Sequence, residues 1–159
     1  MHIRIVSVGR IKEKAVQAAM DEYLKRLSAY GRVELSAVPD EPVPEKLSPA
    51  LEGQVLAREG ERLLRLIPAG TYLIALDVHG GQMTSEEFAG HLEGLAVGGR
   101  SDVTFVIGGT LGLSPAVLGR SQMRLSLSKM TFTHQLVPLI LLEQIYRAMK
   151  IIKGEPYHK

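Results

Sequence analysis

Residues 71–109 read TYLIALDVHGGQMTSEEFAGHLEGLAVGGRSDVTFVIGG. Thr71 to Asp77 is a nearly continuous apolar run, the pattern of a strand covered on both faces. Thr84 or Ser85 can cap a helix running to about Ala96, with Glu86 and Glu87 favourably placed in its first turn. Val103 to Ile107 is a second buried strand, ending at Gly108-Gly109. Strand, helix, strand in that order implies parallel pairing. The same alternation extends outward. His2 to Val8 alternates and is β-branched, so it reads as a strand. Lys12 to Ala29 has helical apolar spacing and stops at Gly31. Val33 to Val38 is a strand ended by Pro39. Pro39 to Pro49 is a loop, and Ser48 with Pro49 opens a helix to about Leu66. Leu136 to Ile152 is a last helix, which must begin close to Pro138 or kink there. The expected fold class is α/β, a mostly parallel sheet with helices on both faces. Neither an internal repeat nor a linker divides residues 1–159, which read as one domain.

Hydrophobic residues make up 45% and charged residues 23% of the 159 residues, a globular balance. The chain holds no cysteine, which excludes disulfides, thiolate zinc sites and cysteine nucleophiles. The start, MHIRIVSVGR, lacks a signal-peptide pattern. The longest strongly apolar run, Leu136 to Leu142, is far shorter than the roughly 20 residues of a membrane span. A cytoplasmic protein is expected. Charge is uneven: residues 120–159 carry Arg120, Arg124, Lys129, Arg147, Lys150, Lys153 and Lys159 against Glu143 and Glu155. Such an end suits a phosphate-facing surface, and equally a solvated helix terminus.

In open α/β sheets ligands bind beyond the carboxyl ends of the strands. Two ends carry glycine: Asp77-Val78-His79-Gly80-Gly81 and Gly108-Gly109-Thr110-Leu111-Gly112. Each is a place for close ligand approach or a plain tight turn. Ile107 stands where the dinucleotide fingerprint needs glycine, which disfavours a nucleotide-binding oxidoreductase. The absence of any Gly-Lys dipeptide rules out a P-loop. Leu125 to His134 (LSLSKMTFTH) is dense in hydroxyls. Its backbone can face a base edge, and Thr131 or Thr133 can cap the following helix. Glu143 and Arg147 stand at i,i+4 with Lys150 on the same side, either a surface pair or a carboxylate orienting an arginine. The helix they sit on is so widely apolar that a subunit partner is expected. His2, His79 and His91 show no metal-ligand spacing.

The ordered set FVIGGTLG, LSLSKMTFTHQL and LLEQIYRAMKIIKGEPYHK, with the start IVSVGRIKEKAVQAAMDEYLKRLSAY, resembles the ribosomal RNA large-subunit methyltransferase H family of the SPOUT class. The likeness covers essentially the whole chain. It implies a C-terminal trefoil knot, a homodimer and S-adenosyl-L-methionine as cofactor. It also implies methylation of N3 of a pseudouridine in helix 69 of 23S rRNA in the assembled ribosome. The family's cofactor contacts carry over onto Leu76, Gly108, Leu127, Ser128, Lys129, Met130, Thr131 and Phe132. Its substrate side carries over onto Arg147, Tyr157 and His158. His158 is then the expected base or proton relay, Tyr157 stacks on or positions the base, and Arg147 stabilises charge or grips a phosphate. The family usually has arginine where this chain has Pro138. The alternative from another class is a non-catalytic ribosome-binding module of the same fold.

Overall fold

The computed structural model describes residues 1–158; Lys159, last residue of the basic tail, lies outside them. The elements are β1 (His2–Val8), α1 (Lys14–Leu27), β2 (Arg32–Val38), α2 (Pro49–Leu66), β3 (Tyr72–Gly81), α3 (Ser85–Val97), β4 (Asp102–Ile107), α4 (Pro115–Arg120), β5 (Met123–Leu125) and α5 (Val137–Ile152). The strands form one sheet in the order β2-β1-β4-β3-β5, each neighbouring pair parallel.

Alternation along the strands builds two cores. Ile3, Ile5, Ile74 and Phe105 face α1, α3 and α5, meeting Met20, Leu27, Phe88, Leu92, Leu141, Leu142 and Ile145. Their sequence neighbours Val6, Ala75 and Val106 face the other way, against Leu63 of α2, Ile67 and Val117 of α4. Each buried Leu, Ile or Phe contributes about 1.5–3 kcal/mol of transfer free energy. Two caps sit where the sequence places them. Ser48 Oγ accepts from Leu51 N–H at 3.2 Å, with Pro49 opening α2. Thr84 and Glu87 form a reciprocal capping box at α3 (3.1 and 2.7 Å). Each cap stabilises its helix by about 1 kcal/mol.

Several expectations are corrected. β3 does not turn at Asp77; it runs to Gly81 through a bulge, and Gly81 pairs with Leu125. α4 and β5 had no expected counterpart. α1 is shorter at both ends than Lys12 to Ala29. Neither Thr131 nor Thr133 caps α5 by its side chain: the N-cap is Leu136, and Thr133 contributes only its carbonyl to Leu136 N–H. Pro138 sits in the first turn of α5, where a missing N–H costs no helical bond. α5 also hides more of itself than its composition suggests. It nests between α1 and α3, burying Leu141, Leu142, Ile145, Tyr146, Ala148 and Met149.

The bulge depends on glycine. A Cβ at Gly80 would stand 2.7 Å from the Arg124 carbonyl group and 2.8 Å from Leu125 N, whereas one at Gly81 would meet nothing within 4 Å. Gly80→Ala should therefore cost about 1–3 kcal/mol, as overpacking does, and lower the thermal midpoint by several degrees. Gly81→Ala should leave it unchanged; thermal unfolding followed by circular dichroism distinguishes the two.

Candidate functional site

The parallel sheet brings the carboxyl ends of β4, β3 and β5 side by side. Ala75 pairs with Val106 and Leu76 with Leu125. The strand leading to Gly108 and the one leading to the loop after Leu125 therefore flank Leu76, which lies before the bulge of β3. Gly108 is a close-approach position: a Cβ there would run into the Gly112 carbonyl. Gly109 and Gly112 close the turn, Gly112 N–H donating to Gly109 O at 3.1 Å. The loop is pinned at its root and shaped internally. Ser126 N–H donates to Gly81 O (2.9 Å), Ser126 Oγ to Ser128 O (3.0 Å), and Met130 N–H to Ser128 Oγ (3.0 Å). Beyond that bend Lys129, Thr131 and Phe132 are exposed, and Met130 is 78% exposed. An uncovered thioether and phenyl ring suit a flat, partly apolar ligand.

The second group assembles on α5. The Glu143 carboxylate is its centre. Arg147 Nε and NH2 donate to Glu143 Oε1 at 3.1 and 2.5 Å. Tyr157 OH donates to the same oxygen at 3.1 Å, and Gln144 Nε2 donates to Oε2 at 2.9 Å. Arg147 lies over the Tyr157 ring at 4.8 Å, and that ring meets Tyr146 edge-on at 4.9 Å. His158 Nδ1 is 3.1 Å from Arg147 NH1, and its Nε2 is 2.7 Å from Glu86 Oε1. The tail is thus fixed by a network of charge-assisted bonds. Glu143 does orient Arg147, holding its guanidinium charged by raising its pKa. Tyr157 presents its ring inward, and its phenol is pushed up by burial and then by Tyr23 and Glu143. Glu86 is held below the usual carboxylate range by its own backbone N–H and by His158.

A chain of hydrogen bonds ties the start of α3 to the α5 group. Ser85 Oγ donates to Gln144 Oε1 at 2.8 Å, and Gln144 in turn reaches Glu143. Met83, Thr84, Phe88, Leu125, Ser126, Leu127 and Gln144 enclose a small cavity of about 50 Å³ between them. The basic end, by contrast, is divided. Arg120 donates to the carbonyls of Ile67 and Pro68 after α2. Lys150 turns to Glu155 (2.6 Å) rather than to Glu143. Tyr23 and Glu86 complete the tail network without having been singled out in the sequence. An acid in a first helical turn reads there only as a partner of the helix dipole.

The chain matches a family model described as predicted SPOUT methyltransferase over residues 1–158. It is 56% identical over 161 residues to a protein of Symbiobacterium thermophilum and 55% identical over 159 residues to one of Listeria monocytogenes. Both are named ribosomal RNA large subunit methyltransferase H, and both are matched over 100% of each chain. The crystal structure of a tRNA (m1G37) methyltransferase from Aquifex aeolicus shares the fold, with a TM-score of 0.55 and 14% identity. That match covers 100% of this chain and 75% of that one.

Glu143→Gln should weaken the hold on both Arg147 and Tyr157. In an ultraviolet titration, one of the five tyrosines should then ionise at lower pH than in the parent protein. Adding Tyr157→Phe should remove that step.

Proposed function

The chain belongs to the ribosomal RNA large-subunit methyltransferase H family of SPOUT methyltransferases, and on that premise we propose that it methylates N3 of a pseudouridine in helix 69 of 23S rRNA. S-adenosyl-L-methionine is the donor, the assembled ribosome the substrate, and a cytoplasmic homodimer of a single SPOUT domain, residues 1–159, the working form. The observation that carries the reading is that Leu76 and the strands leading to Gly108 and to the loop of Leu127 to Phe132 lie side by side, on three adjacent parallel strands.

These residues fit the cofactor. Gly108, packed against the Gly112 carbonyl, holds a tight turn at the end of β4, and exposed Met130 and Phe132 offer apolar cover for an adenine. The bent loop from Ser126 to Met130 keeps its polar backbone at the rim. A trefoil knot is consistent with the way Gly80 lies against the backbone of Arg124 and Leu125. Bound S-adenosyl-L-methionine would supply a methyl carbon already activated by its sulfonium, so this chain's residues have to position the acceptor and move a proton.

On the RNA side, Arg147 presents a guanidinium preoriented by Glu143, suited to a phosphate or to negative charge developing on base carbonyls. Tyr157 acts as a positioning residue in this arrangement, its ring beneath Arg147 and its hydroxyl on Glu143. His158, with Nδ1 3.1 Å from Arg147 and Nε2 2.7 Å from Glu86, has its ring fixed in place and is the candidate proton relay on this side of the site. Exposed Leu136, at the start of α5, gives the homodimer an apolar contact. Pro138 removes the family's arginine from the start of α5, so Arg147 and the exposed Lys129 carry more of the positive charge.

Transfer of labelled methyl from S-adenosyl-L-methionine to ribosomes lacking the modification tests the reading, with free 23S rRNA alongside. Label on the ribosomal pseudouridine and little on free RNA is expected. Ribosome binding without cofactor binding would instead identify a non-catalytic module. Gly108→Val should abolish cofactor binding and, because its Cβ meets the Gly112 carbonyl, also lower the thermal midpoint, so binding is read well below that midpoint. His158→Ala should lower turnover about 10- to 100-fold with cofactor affinity unchanged, consistent with loss of a proton-transfer group.

A further inference from the structure

A larger cleft, of about 320 Å³, lies at the seam between β1 and β4. That size is within the range of small-molecule sites, about 300–1,000 Å³. The seam is the topological switch point of the sheet. The chain leaves β1 towards β2 on one side and leaves β4 towards β5 on the other, so the connections part above it. Gly9 and Arg10 follow β1, Asp40 to Val43 follow β2, and Gly109 to Leu111 follow β4; all line the cleft. Gln135 holds its rim together, accepting from Lys12 N–H (2.9 Å) and donating to Arg10 O (3.1 Å).

One side chain in this cleft has no structural explanation. Glu59 is only 4% exposed, on the apolar stripe of α2 between Val55 and Leu63. Its Oε2 accepts from Glu41 N–H at 3.0 Å, while among the described residues its Oε1 has no partner. Both oxygens lie 3.3 Å from where a Cβ on Gly109 would be, one residue from the Gly108 turn. Arg62, the nearest cation on α2, is turned away to Pro39 O and Glu41. Burial pushes the Glu59 carboxyl up, and Asp40 adds to the rise. A buried carboxylate with a free oxygen costs stability, and such a cost is characteristic of functional positions.

Taking the methyl-transfer reading as given, we propose that this cleft receives the acceptor base, an imide of the uracil type, and that Glu59 Oε1 accepts its ring N–H and takes the proton. Arg10 and Lys12, exposed at the rim, face the flanking phosphates. The step balances. The N3–H bond breaks and its proton goes to Glu59. The nitrogen pair forms a bond to the methyl carbon of a sulfonium donor at the adjacent Gly108 edge. The carbon–sulfur bond breaks with its electron pair left on sulfur, as a neutral thioether. Glu59 then returns the proton to water. In this arrangement Glu59 takes the N3 proton first, and His158, on the RNA side, relays protons only after that step.

The test uses Glu59→Gln in the full-length protein and three readouts. Thermal unfolding should show an unchanged or higher midpoint, because a buried unpaired charge is removed. Calorimetry with S-adenosylhomocysteine should give an affinity within about twofold of the parent. Label transfer to unmodified ribosomes should fall about 100-fold or more, the size expected for loss of a general base. Transfer within twofold of the parent overturns the proposal. Parallel loss of S-adenosylhomocysteine affinity also overturns it, since the carboxylate would then pair with the cofactor's ammonium group. A lower midpoint overturns it in favour of a structural role. If the parent protein itself binds S-adenosylhomocysteine but labels no ribosome, the functional reading fails and this proposal with it.

Discussion

Gly80 lies so close to the backbone of Arg124 and Leu125 that no side chain fits between them. β5 is three residues long, stands at the sheet edge and has only β3 to pair with. Its placement rests on a few backbone bonds: the Ile74 to Leu76 register, Gln122 N–H to Leu73 O at 2.9 Å, and Ser126 N–H to Gly81 O at 2.9 Å. Everything after Leu125 starts from that anchor. The root of the hydroxyl-rich loop inherits its position from a glycine that permits two strands of chain to touch. Net stabilities of about 1 kcal/mol per hydrogen bond make such an edge strand fragile unless the packing around it is tight. Leu125, 4% exposed and part of the larger core, supplies that packing.

The tail solves a different problem. A chain terminus is ordinarily poorly ordered unless tied down. Here Glu143 draws in Arg147, Tyr157 and Gln144, and the Tyr157 ring closes on Tyr146. The arginine is thereby held half-buried, with its nitrogens on Glu143 and His158 and its guanidinium over the Tyr157 ring. The entropy cost of fixing this long side chain has been met during folding.

Much of the fold was legible in the sequence because its signals are long. The two buried strands around α3, the Ser48-Pro49 start of α2 and the Thr84 cap each rest on several residues acting together. α4 and β5 were not legible, because six and three residues carry no measurable period. The extension of β3 to Gly81 was hidden by two glycines that read equally well as a turn. Strand order was beyond reach, since it is set by crossovers and not by local pattern. For the site, the glycine ends and the Glu143–Arg147 pair were visible. Glu59 was visible only in hindsight: Val55, Glu59, Leu63 and Ile67 recur every four residues, and an acid on that stripe had to be buried. Gln135 and Glu86 gave no such signal, because their roles arise from partners 125 and 72 residues distant in sequence.

The central claim is that the carboxyl ends of β3, β4 and β5 form one cofactor site. Titrating the isotopically labelled protein with S-adenosylhomocysteine and following backbone amide resonances tests it most directly. The account predicts that Leu76, Gly108 and Leu127 to Phe132 shift together along one saturating curve. Shifts confined to other parts of the chain, with those residues unmoved at saturation, would contradict it.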